Sequence, residues 1–495
     1  MSNIRVTYSG LISLAISLTS VFTGLIFTII ITRRLPQEEF GVWALIGGLI
    51  TYVLIIEPII SYWTVREIAR GVESGTTSLV SSSVFSIFGI IGYLIIAFFV
   101  GQKAGINLDF LYFATLLVPI LFLTRTLNAI NTGWKPHSVS FGYLAFELTK
   151  IPAAFLLIYF LDLGLIGAIS ATIIAHITNI IVLLWYAKPK LKESFNIKTL
   201  KKWLNLFWLP LYPSFSNLLL ALDVMIYSTI TGSVFGLAFW AVGNSIVNII
   251  GQSGVISRGI YPKLLESGKQ EFVQENLLLS FYFAVPLMIM AITFAKPGLF
   301  ILNPLYIFAV PIVIILSVKV FLDMFFELYY SSILGLETVD LKNFTFKEYL
   351  KSKLFFLPTI RLIQFGSYSA LLAIMLLVVK IEDELTLVIY WALILLGTEI
   401  FSVLYMHKIA KKKITLKMNW NVMIKYFIAS IITSGIAYVI MDKFLTYDEN
   451  IYVFLPNLIP YLMISLFGYL GITYCIDIRT RKLTSSIINE LLQKS

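Results

Sequence analysis

The chemistry of this chain is concentrated in ionisable side chains set within or beside long apolar stretches. The cationic ones are Arg33, Arg34, Arg66, Arg125, Lys150, Arg258, Lys319 and Arg361. The acidic ones are Glu57, Glu147, Asp223, Asp323, Glu327 and Glu399. An ion held at membrane depth is costly, so such groups face a partner or a water-filled cavity and mark transport pathways. Guanidinium presents a planar fork that suits phosphate oxygens, so an arginine without a local partner is a candidate anion ligand. Arg33, Arg66, Arg125 and Arg258 meet that description, and Arg34 stands beside Arg33. The competing reading for these arginines is anchoring, with the head snorkelling to lipid headgroups from a span end.

The acids divide by spacing. Glu147 and Lys150 are three apart and Lys319 and Asp323 four apart, so each pair shares a helix face and is expected to form a structural ion pair. Glu327 continues the second stripe and leaves one acid over. Glu57 precedes Pro58, which weakens local backbone hydrogen bonding. Asp223 lies deep in a span that also carries Pro210, Pro213, Ser216 and Asn217. A carboxylate in a low-dielectric setting can load and release a proton, so Glu57 and Asp223 are the candidates for H⁺ or Na⁺ coupling. A hydrogen-bonded structural acid is the alternative for both. Asn244, Asn248 and Gln252, each four apart, draw one polar stripe along an apolar helix, which either lines a wet cavity or joins two helices.

The elements that must position these groups follow from composition. Only 13% of the 495 residues are charged and 58% are hydrophobic, with a mean hydropathy of +0.89. A soluble domain carries about a quarter charged residues, so the bilayer must solvate most of this surface. Apolar runs long enough to cross hydrocarbon recur from Leu11 to Cys475 and give about fourteen spans. They lack the two-residue alternation of barrel strands, so the fold class is all-α integral membrane. Arg5 and the long apolar run after it read as a retained first span (9–32) rather than a cleaved signal. The eighth span is expected at 234–256, and the tenth, at 304–334, is too long to stand upright.

Basic residues set the topology. With the N-terminus inside, inner loops collect Arg66, Arg70, Lys188, Lys190, Lys192, Lys198, Lys201, Lys202, Lys408, Lys411, Lys412 and Lys413, and the C-terminus is also inside. The net charge of +10 therefore points to the anionic inner leaflet of the cell membrane rather than to nucleic acid. Arg33 and Arg34 are the exception, since they fall in an outer loop. Cys475 is the single cysteine and His137, His176 and His407 are scattered, so neither a disulfide framework nor a metal site is expected. No loop can house a soluble domain, and no G-x-x-x-x-G-K-[ST] phosphate loop is present. No cofactor is expected, and a glycan polymerase or ligase would need a catalytic group on an outer loop that is not evident. The insertion Phe344–Phe355 mixes aromatic and basic residues, as a helix lying in the interface does.

An internal repeat orders the spans. Phe40-Gly41, a span, Arg66 and Glu73-Ser74-Gly75 are answered by Phe235-Gly236, a span, Arg258 and Glu266-Ser267-Gly268. Near-equal spacing and matching topology argue for two six-helix halves. The expected division is a bundle over 1–187, a basic linker over 188–203, a second bundle over 204–414, and two further helices with a tail over 415–495.

These residues resemble a known family. Arg34-Leu35-Pro36-Gln37-Glu38-Glu39-Phe40-Gly41 is similar to the R-L-x-x-x-x-F/Y-G signature of Wzx-like polysaccharide-biosynthesis flippases, within the multidrug/oligosaccharidyl-lipid/polysaccharide (MOP) exporter superfamily that also holds MATE transporters and lipid II flippases. Leu163-Gly164-Leu165-Ile166-Gly167-Ala168 resembles the L-G-x-x-G-A start of their sixth span. Tyr261-Pro262-Lys263-Leu264 and Gly268-x-x-x-Phe272 resemble the pattern after the eighth. The resemblance implies two bundles in a pseudo-two-fold V around a central cavity and alternating access. The implied cargo is a polyprenyl-(pyro)phosphate-linked oligosaccharide whose tail stays among membrane lipids. It also implies a monomer working beside glycan polymerase or glycosyltransferase machinery in cell-surface polysaccharide or glycoprotein biosynthesis. A MATE-type organic-cation antiporter shares the layout. Exposed acids favour that reading, whereas exposed arginines favour a phosphate-bearing cargo.

Overall fold

The computed structural model describes residues 22–253, 271–334, 346–379, 383–413, 419–482 and 485. Among these, twelve helices are long and apolar enough to cross a membrane. Two other expected spans touch undescribed residues. The first is helical over 22–34, and the eighth is a shorter apolar helix that ends at Gly251, before the expected 256.

Packing polarity is inverted relative to a soluble protein. The helix Gly75–Lys103 buries Ser78, Ser81, Ser82 and Gly89 and exposes Val84, Ile87, Phe88, Ile91 and Ile95. Lipid tails solvate the large apolar side chains, so small residues are free to face neighbouring helices and let backbones approach. A Cβ on Gly89 would lie 2.8 Å from the Phe122 ring, which shows how close that approach is.

The chain divides into two compact units. The first runs through Ala241 and takes in Phe365–Leu387; the second holds Val242–Gln364 and the residues from Val388 onward. The first unit contains α1 (22–34), α2 (Gln37–Val53), α3 (Pro58–Ala69), α4 (Gly75–Lys103), α5 (Leu108–Ala114), α6 (Leu117–Trp134), α7 (Pro136–Ala154), α8 (Gly164–Ala187), α9 (Ile197–Asn205) and α10 (Trp208–Thr231). Helix α6 is its hub and packs on α3, α4 and α8 through Phe122, Leu127 and Ile130. Helix α9 is the amphipathic part of the basic linker. It buries Trp203 and ties Lys202 to Glu67 at 3.1 Å.

The helix α11 (Phe235–Gly251) starts in the first unit and continues in the second. The second unit then holds α12 (Glu271–Thr293), α13 (Ala295–Leu302), α14 (Val310–Leu334) and α15 (Phe346–Lys351). It also takes α16 (Lys353–Val378) up to Gln364, α17 (Glu384–Lys413) from Val388, α18 (Trp420–Phe444) and α19 (Ile451–Ile476). Its core joins Tyr282, Phe326, Tyr329, Leu357, Met406 and Tyr469. A 3-10 turn, Pro304–Ala309, feeds α14, so the long tenth span is continuous. Within the Phe344–Phe355 insertion, the short α15 buries Tyr349 against the Phe355 ring.

Two signature segments and the Phe-Gly turn of the second repeat meet in the first unit. Arg34 lies 3.9 Å over the Tyr159 ring. Glu39 accepts the Leu165 N–H at 2.9 Å, which caps the start of α8. Gly164 beside it adopts φ +51°, a left-handed conformation that favours glycine. A Cβ on Gly41 would stand 2.1 Å from the Val234 carbonyl oxygen, so α2 touches the turn before α11 at a point only glycine fits. The Phe-Gly pairs of the two repeats are thus neighbours.

Candidate functional site

Among the described residues, the most concentrated group of charges is in the second unit. On α14, Lys319, Asp323 and Glu327 recur every four residues and present one stripe, as their spacing predicts. On α16, Arg361 and Gln364 face them, and Glu399 comes from α17. Arg361 Nη1 donates to Gln364 Oε1 at 2.9 Å and to both Glu399 oxygens at 3.2 and 3.4 Å. Its Nη2 donates to Glu327 Oε1 at 2.9 Å and to Asp323 Oδ1. Lys319 lies 3.8 Å from Asp323 and from Glu399, and Gln364 Nε2 donates to Glu399 at 2.8 Å. The Arg361 guanidinium carbon also sits 3.4 Å from the centroid of the Phe326 ring. The spacing of Lys319 and Asp323 is that of a two-member pair, but the tighter partner of Asp323 is Arg361, and the pair is part of a five-ion network.

In the first unit the acids stand apart. Helix α2 ends at Val53, a 3-10 turn covers Leu54–Ile56, and Pro58 opens α3. Pro58 has no N–H for the Leu54 carbonyl, which instead accepts from Glu57 N–H at 3.2 Å. This break holds the Glu57 side chain in the interior. Ser61 Oγ donates to Glu57 Oε2 at 3.2 Å, and Arg125 approaches the same oxygen only to 4.0 Å. The other oxygen, Oε1, is buried with no hydrogen-bond partner among the described residues. Such an oxygen is where a proton or a small cation would be accommodated at least cost.

Asp223 is buried on α10. It accepts from Tyr368 Oη at 2.8 Å and from the Val224 N–H at 2.7 Å. Tyr52 Oη donates to the Ala221 carbonyl at 2.6 Å, and Ser369 Oγ donates to the Leu219 carbonyl at 2.7 Å. Glu147 and Lys150 meet at 2.6 Å, both buried, with Thr23 Oγ1 donating to the same carboxylate at 2.6 Å. Glu384, at the start of α17, accepts from Ser233 Oγ and the Gly236 N–H at 2.6 Å each and from Tyr227 Oη at 3.2 Å. Glu384 stands outside the candidate set, and its partners lie about 150 residues away in the chain.

The described candidate arginines have individual surroundings. Arg66 stacks on Tyr62 at 4.4 Å, Arg34 on Tyr159, and Arg125 keeps an exposed side chain. Arg33 is half-buried on α1. Arg258 lies outside the described residues. Asn244 is half-buried, Asn248 exposed, and Gln252 sits in the turn after α11. Among the described residues no group of His, Cys, Asp and Glu is arranged to hold a metal ion.

Comparison with solved structures shows a shared fold. The chain shares its fold with a structure titled lipid II flippase MurJ, inward closed conformation, at a TM-score of 0.67 and 16% identity, covering 96% of this chain and 99% of that one. It shares it also with an inward-facing multidrug-resistance MATE family transporter of the MOP superfamily, at a TM-score of 0.59 and 13% identity, covering 81% and 98%. The fold is therefore that of the MOP exporters, and the chain is a multi-pass membrane protein. In sequence it is 26% identical over 300 residues to a Shigella flexneri protein described as a "Putative O-antigen transporter", covering 54% of this chain and 69% of that protein. That similarity agrees with the Wzx-like resemblance carried by the motifs. No protein-family model matches the chain.

Proposed function

We infer that the chain is a flippase that carries a polyprenyl-(pyro)phosphate-linked oligosaccharide across the cytoplasmic membrane by alternating access. The observation that carries this reading is the sequence similarity to the Shigella O-antigen transporter, which extends over most of that protein's length. The fold shared with a lipid II flippase supports a lipid-borne cargo. The exposed guanidinium of Arg125 and the cations Arg33, Arg34, Arg66 and Arg258 are the proposed ligands of the head-group phosphates. The polar stripe Asn244, Asn248 and Gln252 is proposed to meet sugar hydroxyls. Glu57, with its unpartnered buried oxygen, and Asp223 are the proposed sites of H⁺ or Na⁺ coupling. The distribution of basic residues supports an inner location for both termini.

A second reading, a MATE-type organic-cation antiporter, draws on one specific observation: the Arg361 network holds more carboxylates than cations. The test is head-group translocation in proteoliposomes with a short-sugar polyprenyl-pyrophosphate lipid. Arg33→Ala and Arg125→Ala should slow translocation, and Glu57→Gln should uncouple it from an imposed ion gradient, with insertion and folding intact. Wild-type rates in all three variants would remove these residues from the mechanism.

A further inference from the structure

The segment between the spans α8 and α10 carries six lysines against one acid, Glu193, from Lys188 to Phe207. Such a run reads as a loose tether, yet contacts with α3 and α4 hold it in place. A Cβ on Gly75 would stand 2.1 Å from the Lys190 carbonyl oxygen, so the two backbones touch there. The Asn196 N–H donates to Thr77 Oγ1 at 3.0 Å. Lys202 donates to Glu67 at 3.1 Å, and Trp203 is fully buried. The Asn196 side-chain oxygen caps α9 by accepting from the Lys198 and Thr199 N–H groups at 2.9 and 3.3 Å.

With Trp203 packed inward, α9 presents one fixed outward side. Ile197 and Leu204, seven apart and so on one face, are exposed, and the exposed Lys198 and Lys201 lie beside them. Phe195 and Phe207 flank the helix and are exposed as well. The helix lies at the level of the bilayer surface, because one span ends just before this segment and another begins just after it. Aromatic side chains mark the same level. Trp134, at the end of α6, has Lys190 Nζ over its ring at 4.5 Å, and Trp185, near the end of α8, is exposed. Apolar side chains bordered by lysines at that depth match a surface that is oily beneath and anionic above. We propose that α9 is a preformed docking surface for anionic phospholipid, with Ile197 and Leu204 among the upper acyl carbons and Lys198 and Lys201 on the headgroups. The helix is ordered before it docks, so little conformational entropy is lost. Lys202 and Glu67 tie the docked helix to α3. This docking goes beyond the flippase reading and does not depend on the cargo.

The experiment reads amide hydrogen exchange of α9 in the full chain, held in nanodiscs of phosphatidylcholine alone or with phosphatidylglycerol added. Phosphatidylglycerol should slow exchange in α9 about thirtyfold, the factor expected from two lysines at an anionic surface. Raising the salt to about 1 M should remove that gain. Lys198→Gln combined with Lys201→Gln should lose the gain, with thermal stability in phosphatidylcholine unchanged. Lys411→Gln combined with Lys412→Gln, at exposed lysines near the end of α17, should keep it. Equal exchange of α9 in the two lipids overturns the proposal, and so does a gain that survives in the Lys198/Lys201 variant. An equal loss in the Lys411/Lys412 variant also overturns it, because the response would then follow net charge rather than α9. Lipid flipping by the wild type alongside any of these results would leave the flippase reading intact.

Discussion

The two units handle charge at membrane depth in opposite ways. In the first, each acid has its own small solution: Glu147 a lysine and a threonine, Asp223 a tyrosine and a backbone N–H, Glu57 a serine and a distant arginine. In the second, acids from α14 and α17 converge on one guanidinium. Isolated sites respond one at a time, and a carboxylate with neutral partners can change protonation or bind an ion without disturbing others. A network responds as a whole, because members of one hydrogen-bonded cluster are energetically coupled. The carboxylates of the first unit are therefore expected to respond separately, and those of the second together.

Substitutions sharpen this contrast in a graded order. Arg361→Met should have the largest effect. It strands buried carboxylates and should lower stability by about 3–5 kcal/mol. Adding Glu399→Gln should recover part of that loss, and strict additivity of the two in thermal-unfolding measurements would argue against a network. Lys150→Met comes next. Thr23 still serves Glu147, so the cost should fall to about 2–3 kcal/mol, and no partner substitution in the second unit should alter it. Tyr368→Phe removes one donor from a buried carboxylate and should cost about 1.5 kcal/mol. Arg125→Ala should cost the least, about 0–1 kcal/mol, because its side chain is 46% exposed and 4.0 Å from Glu57. If Arg125→Ala destabilised the protein as much as Lys150→Met, the view of Glu57 as a weakly partnered, available carboxylate would fail.

Sequence periodicity reaches as far as one helix. The spacing of Lys319, Asp323 and Glu327 gave their shared face and the surplus acid, and Pro58 marked the break that places Glu57. What spacing could not supply is tertiary. Arg361 stands 38 residues from both Asp323 and Glu399, and no local pattern links three separate helices. The bond between Glu39 and Leu165 spans 126 residues and joins two motifs that read as unrelated in the chain. The span ends were legible where apolar runs are long, and the expected end of the eighth span lies outside the described residues.

The central claim, that this MOP-fold chain moves a lipid-linked glycan, is tested most directly by placing both activities side by side in one proteoliposome preparation. The wild type should translocate the head group of a polyprenyl-pyrophosphate-linked oligosaccharide and should not drive efflux of an organic cation under a proton or sodium gradient. Gradient-driven cation efflux with no translocation of any such lipid would contradict it.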